Sequence, residues 1–149
     1  MRAVLQRVSM AQVQVAGETV GEISDGLLIL LGVGGGDNET AADYLAEKIA
    51  NMRIFEDKAG KMNLSVVDIG GSALVISQFT LYGDARRGRR PSFSDAASPD
   101  IAEKLYEYFS KKLSEHILTV KNGVFGAEMK ISLVNEGPVT ILLDSLKNF

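Results

Sequence analysis

The chain has 149 residues, 46% of them hydrophobic and 23% charged, with no cysteine and a single histidine. That is ordinary for one globular domain, and it excludes disulfides, thiolate nucleophiles and cysteine-ligated zinc. A formal net charge of −3 argues against a protein that coats duplex phosphate, which would be basic, so any nucleic acid is met through a small local patch.

Taken in order, Met1 to Arg7 carries no apolar stretch ahead of a small-residue cleavage site, so no signal peptide is expected. Residues 2–15 alternate and are rich in valine, which predicts a strand. Gly17-Glu18 reads as a turn into a second strand, Thr19 to Ile23, and Asp25-Gly26 as a hairpin signal. Gly26 to Val33 is apolar almost throughout, as a strand buried on both faces would be. Its longest apolar run, Leu27 to Leu31, is far short of a membrane span. With no leader and no span, the expected location is cytoplasmic.

Gly34-Gly35-Gly36 breaks the sheet, and Asp37 or Asn38 can cap a helix running to about Arg53 with Ala41, Leu45, Ile49 and Met52 on one face. Ile54-Phe55-Glu56 and Met62-Asn63-Leu64 flank a turn. Gly70-Gly71 precedes the strand that ends in Ser77. Ser98, followed by Pro99, is placed to cap a second helix to about His116, with Ile101, Leu105, Phe109 and Leu113 as its stripe. Strands follow at Leu118 to Val120, Met129 to Val134 and Val139 to Leu143. The expected fold is one α+β domain over residues 1–149: a mixed, largely antiparallel, barrel-like sheet with two long helices.

Few side chains offer conventional chemistry. The lone histidine, His116, closes an amphipathic helix, where a cation suits the negative helix end. One histidine and no cysteine leave no transition-metal set, and neither a metal nor a cofactor is expected. The triple glycine lacks the phosphate-loop pattern and is followed by Asp37 and Glu39, so it reads as a structural turn. Ser77-Gln78-Phe79-Thr80 closes a buried strand, which is either an ordinary polar strand end or a place where freed backbone N–H groups point at an oxyanion. Gly137-Pro138 interrupts two apolar runs. Proline cannot donate to a ladder, so it marks an edge, a bulge or a tight turn, and its peptide bond is one of the few where a cis form is accessible. Arg86, Arg87, Arg89 and Arg90, with Phe93 nearby, form either a phosphate-gripping patch with a stacking ring or a solvated loop.

Ser77-Gln78-Phe79-Thr80-Leu81 and Asn135-Glu136-Gly137-Pro138-Val139-Thr140 resemble the two signature motifs of the D-aminoacyl-tRNA deacylase (D-tyrosyl-tRNA(Tyr) deacylase) family. Met1-Arg2-Ala3-Val4-Leu5-Gln6-Arg7-Val8 is similar to the family's opening, and Gly123-Val124-Phe125-Gly126-Ala127 to another of its segments, so the resemblance spans the chain. It implies an enzyme that hydrolyses D-aminoacyl-tRNA, works as a homodimer and meets the acceptor end of tRNA. It further implies a cis Gly137-Pro138 bond whose dipeptide enters the partner subunit's site and acts as a chirality filter. Arg7 would brace that filter, and Asn135, Phe125 and Met129 are grouped with it. Ser77, Gln78, Phe79 and Thr80 would line the pocket for the ester and terminal adenosine. The nucleophile is left open between water, a ribose hydroxyl and Thr80. Two other classes remain to be weighed: a non-enzymatic RNA-binding module using the arginine loop, and a general esterase.

Overall fold

A computed structural model describes all 149 residues. The elements run β1 (Arg2–Val15), β2 (Glu18–Ile23), β3 (Gly26–Gly32), α1 (Glu39–Ala50), β4 (Phe55–Glu56), β5 (Met62–Leu64), β6 (Ser72–Ser77), a 3-10 helix (Phe79–Tyr82), α2 (Pro99–Ser114), β7 (Thr119–Asn122) and β8 (Lys130–Asp144). β1 is the long strand its alternating valines predict. A turn at Ala16-Gly17, with φ of 50° and 84°, reverses it into β2. Positive φ at both central residues matches the twist of a hairpin, so the turn falls one residue earlier than Gly17-Glu18.

Asp25-Gly26 is not a hairpin. β8 pairs along nearly all of one edge of β1, while β2 and β3 pair with β1 in succession, at residues 11–15 and 2–8. β2 and β3 therefore lie end to end along the opposite edge. The glycine at 26 serves a close approach: a Cβ there would sit 1.9 Å from the Ser72 carbonyl oxygen, where β6 begins to pair with β3.

β3, β6 and β7 are parallel neighbours. Parallel neighbours need long crossovers, and α1 and α2 lie in those two connections. The helices cover one face of the sheet, where Leu45, Ile49, Phe109 and Leu113 pack with Leu5, Ile29 and Val75 in the larger core. Asn38 is the α1 cap, its side chain accepting from the Ala41 amide, and the helix stops at Ala50 rather than near Arg53. Ser98 occupies the α2 cap position but makes no side-chain cap bond. Ile101 is exposed and Ala102 takes its place inside. A ladder of four-residue steps drifts by about 40° per step against the helical period, so Ile101 has turned out of the face on which Leu113 is centred. No helix is long and apolar enough to cross a membrane.

A second, smaller core lies on the other face, built on Val8, Ala11, Val13, Leu28, Leu74 and Ile76. β3 and β6 feed both cores by simple alternation. β1 and β8 do it differently. Leu5 and Val139 pack into the larger core, yet Ala11 and Ile131, of the same parity, pack into the smaller one or against it. Same-parity side chains of a regular strand share a face, so both strands change face midway. The change falls where the register breaks: Asn135 pairs with Val8 and Thr140 with Gln6, leaving Glu136 to Val139 against Arg7 alone. The two final strands expected from sequence are thus one strand, bulged at Gly137-Pro138. β2 also curls toward β7, so that a Cβ on Gly21 would lie 3.1 Å from the Asn122 carbonyl oxygen, and the mixed sheet comes close to a closed barrel.

Substituting Gly26→Ala should destabilise the protein by about 3 kcal/mol or more, because backbone must move to admit the methyl group. Gly36→Ala, with nothing within 4 Å of its Cβ, should shift stability by no more than about 0.5 kcal/mol. Urea unfolding of the pair checks the assignment of Gly26 to a close approach.

Candidate active site

β6 ends where the Gln78 amide donates to the Leu31 carbonyl at 2.8 Å, and the chain turns at once into the 3-10 helix. The Phe79 and Thr80 amides open that helix and have no acceptor within the chain, as expected of a first turn. Ser77, Gln78 and Phe79 form one wall of a pocket of about 620 Å³, with Phe125 and Met129 on another. This is ligand-sized, and most of the lining is hydrophobic. The Phe79 ring is 56% exposed and meets Phe93 edge-on at 5.2 Å between centroids. Phe93, noted in the sequence only as a neighbour of the arginines, is thus a wall of the pocket. Thr80 does not line it. Its hydroxyl accepts from the Gln78 side-chain amide and is hydrogen-bonded to no carboxylate or histidine.

The triple glycine packs rather than binds. The Gly34 amide donates to Asp37 Oδ2 at 2.6 Å, and a Cβ on Gly34 would lie 2.7 Å from the Tyr82 ring. Asp37 does not cap α1; it accepts from the Met1 amine, the Gly34 amide and the Tyr82 hydroxyl. Burial first, and then the Asp37 carboxylate, push the Tyr82 hydroxyl far above its ordinary pKa. The folded chain holds a proton that the unfolded chain releases near pH 10, so this contribution to stability is complete below about pH 10 and fades above it.

The Gly137-Pro138 peptide bond is cis, and Gly137 has φ +114°. Arg7 lies beneath the bulge, only 8% exposed. Its Nε donates to the Glu136 carbonyl at 3.2 Å and its Nη1 to the Ile54 carbonyl at 2.8 Å, with Glu56 3.8 Å from Nη2. The Asn135 side-chain amide donates to the carbonyls of Arg7 and Val139, both at 2.9 Å, and so ties the bulge shut. Gly137 and Pro138 are themselves exposed and line no part of the pocket. Within one chain, then, the structure gathers Ser77, Gln78, Phe79, Phe125 and Met129 together, and gathers Arg7, Asn135, Gly137 and Pro138 separately.

The arginine loop is pinched by the bridge between Asp84 and Ser92. Arg86 grips Asp84 through two bonds of 2.8 Å, which hold that carboxyl well below the usual carboxylate range. Arg87, Arg89 and Arg90 are exposed and unpaired, so the four arginines are not equivalent. His116 is exposed just past α2. No group of three or more His, Asp or Glu side chains is placed to hold a metal ion.

Residues 4–144 match the family described as D-Tyr-tRNA(Tyr) deacylase. The chain belongs to that family. It is 62% identical to a D-aminoacyl-tRNA deacylase of Thermosipho africanus and 58% identical to one of Clostridioides difficile, each over all of both chains. Among solved structures it is similar to the c-Myc DNA Unwinding Element Binding Protein, with TM-score 0.92 and 39% identity over 97% of this chain and 98% of that one. A probable eukaryotic D-amino acid tRNA deacylase shares the fold at TM-score 0.84 and 16% identity, over 95% and 97% of the two chains.

Asn135→Ala should cost about 1–2 kcal/mol in equilibrium unfolding, since it strips two carbonyls of a shared donor. An unchanged unfolding midpoint would show that the bulge does not depend on that amide.

Proposed function

We propose that this chain is a D-aminoacyl-tRNA deacylase, hydrolysing the ester between a D-amino acid and the terminal ribose of tRNA to give the free amino acid and tRNA. One observation carries this reading: unpaired backbone amides at Phe79-Thr80 beside a ligand-sized pocket, in a chain that also presents a braced Gly137-Pro138. Its full-length likeness to curated deacylases supports the same conclusion.

The terminal adenosine enters the apolar pocket against Phe79, Phe93, Phe125 and Met129. Water attacks the ester carbonyl, and the adjacent ribose hydroxyl orients it and relays its proton. The Phe79 and Thr80 amides donate to the oxyanion as it forms, a kind of interaction worth about 2.7–4 kcal/mol per donor. The bond to the ribose oxygen then breaks and that oxygen takes up a proton. The ester is already activated, so this suffices without a histidine, a metal or a cofactor. Thr80 is a poor rival nucleophile, because its hydroxyl is engaged by Gln78 and hydrogen-bonds to no base.

The Gly137 and Pro138 carbonyls hold the substrate's α-amino group and leave no room for an L side chain. They are exposed and lie outside the pocket of their own chain, so they serve the pocket of a second copy, and the working unit is a homodimer. β8 leaves one edge unpaired, with Val134 and Leu142 exposed along it, and an edge of that length calls for cover. A filter of this kind reads the amino group and Cα geometry alone. Glycyl-tRNA passes it, and side-chain identity matters little. The protein acts in the cytoplasm, on the acceptor end of tRNA, with Arg87, Arg89 and Arg90 as the local phosphate contacts and Arg86 holding the loop.

Hydrolysis of D-tyrosyl-, L-tyrosyl- and glycyl-tRNA at equal enzyme tests the reading. Loss of the D and glycyl esters with the L ester spared by a thousandfold, about 4 kcal/mol, is the expected result. Equal loss of D and L leaves a general esterase; tRNA bound with no ester cleaved leaves a binding module. Neutralising Arg87, Arg89 and Arg90 together should weaken tRNA binding and reduce its salt slope by roughly 2–3. An unchanged rate and slope would remove the loop from the interface.

A further inference from the structure

None of the residues Phe79 to Tyr82 is buried. The helix that presents the two amides is therefore anchored by no fully buried side chain, and a single 3-10 turn holds itself poorly. Its own bonds are local: Leu81 to Gln78 at 3.2 Å and Gly83 to Thr80 at 2.9 Å. Its far end is gripped from elsewhere. Arg2 Nη1 donates to the Leu81 carbonyl at 3.0 Å, and the same guanidinium lies 4.5 Å from the centre of the Tyr82 ring. The Tyr82 hydroxyl donates to Asp37 at 3.1 Å. The ring rests where Gly34 has no side chain.

Resting on the deacylase reading, we infer that Tyr82 is a positioning residue for the reaction, clamped by Arg2, Asp37 and Gly34 so that the 3-10 helix holds its first two amides on the substrate carbonyl. Tyr82 lines no part of the pocket, so it does not act by binding substrate. It lies three residues from Phe79, about 6 Å along such a helix. A tilt at that lever moves the amides by a fraction of an ångström or more, and oxyanion donors act only at about 2.7–3.1 Å.

The test is deacylation of D-tyrosyl-tRNA by the full-length enzyme and by Tyr82→Phe, Gly34→Ala and the double variant, with a thermal unfolding scan of each. Tyr82→Phe deletes the bond to Asp37 and keeps the ring. Gly34→Ala keeps the hydroxyl and displaces the ring. Each should lower the rate at saturating substrate about ten- to a hundredfold, with half-saturation unchanged within about twofold. The Tyr82→Phe unfolding midpoint should stay within a few degrees, and the double variant should be no slower than the slower single, because both act through one side chain. Faster exchange of the Leu81 and Gly83 amide hydrogens, which make the helix's own bonds, should accompany the loss in Tyr82→Phe. If Gly34→Ala does not fold, Tyr82→Phe decides alone. An unchanged Tyr82→Phe rate overturns the inference, and so does a loss that appears in half-saturation or follows the unfolding midpoint. An unsubstituted enzyme that spares D-tyrosyl-tRNA overturns the deacylase reading itself, and the inference with it.

Discussion

A guanidinium taken out of water must be given oxygen atoms, or the fold cannot keep it. Arg7 is such a group, nearly fully buried and facing the carbonyls of Ile54 and Glu136. It sits where β1 and β8 change from one core to the other. The Glu136 carbonyl is available only because the bulge has removed it from the ladder, and the bulge is held in place because Arg7 and Asn135 occupy the groups it frees. Neither feature stands without the other. The switch of faces, the exposed Gly137-Pro138 and the buried charge are aspects of one arrangement.

The same principle runs through the site. A chain with one histidine and no cysteine has little side-chain chemistry to offer, and its candidate site is built on the main chain. At Phe79-Thr80 the ladder ends and leaves N–H groups; at Gly137-Pro138 it is interrupted and leaves carbonyls. Donors gather at one place and acceptors at the other. Of the side chains nearby, Arg7 and Asn135 at the bulge hold backbone carbonyls, and Gln78 at the helix holds the Thr80 hydroxyl.

The periodic elements were legible in the residues. Valine alternation marks β1, the unbroken apolar run marks β3 as buried on both faces, and Asn38 and Pro99 open helices where their chemistry places them. The places that misread share a physical cause: a local signal was answered by a distant group. Asp25-Gly26 has the composition of a hairpin, but its glycine answers to Ser72. Asp37 has the composition of a helix cap, but Met1, Gly34 and Tyr82 occupy it. Ile101 has the right four-residue spacing, and accumulated phase turns it outward. The bulge made one strand look like two. At the site, Ser77 to Thr80 and Gly137-Pro138 were visible as anomalies, while Phe93 and Tyr82 were not. Single aromatic residues carry no signal of their own until the fold sets them against Phe79 and Gly34.

The pairing of β1 with β8 brings Arg2 opposite Asp144, almost the full length of the chain apart. No other ladder in the molecule closes so large a loop. Its entropy is lost before any of its contacts are returned. During synthesis β1 emerges long before β8, so the edge of β1 that β8 will cover stays open while the residues between them are made. The sheet can be nucleated early through β3 and β6, but its completion waits for β8.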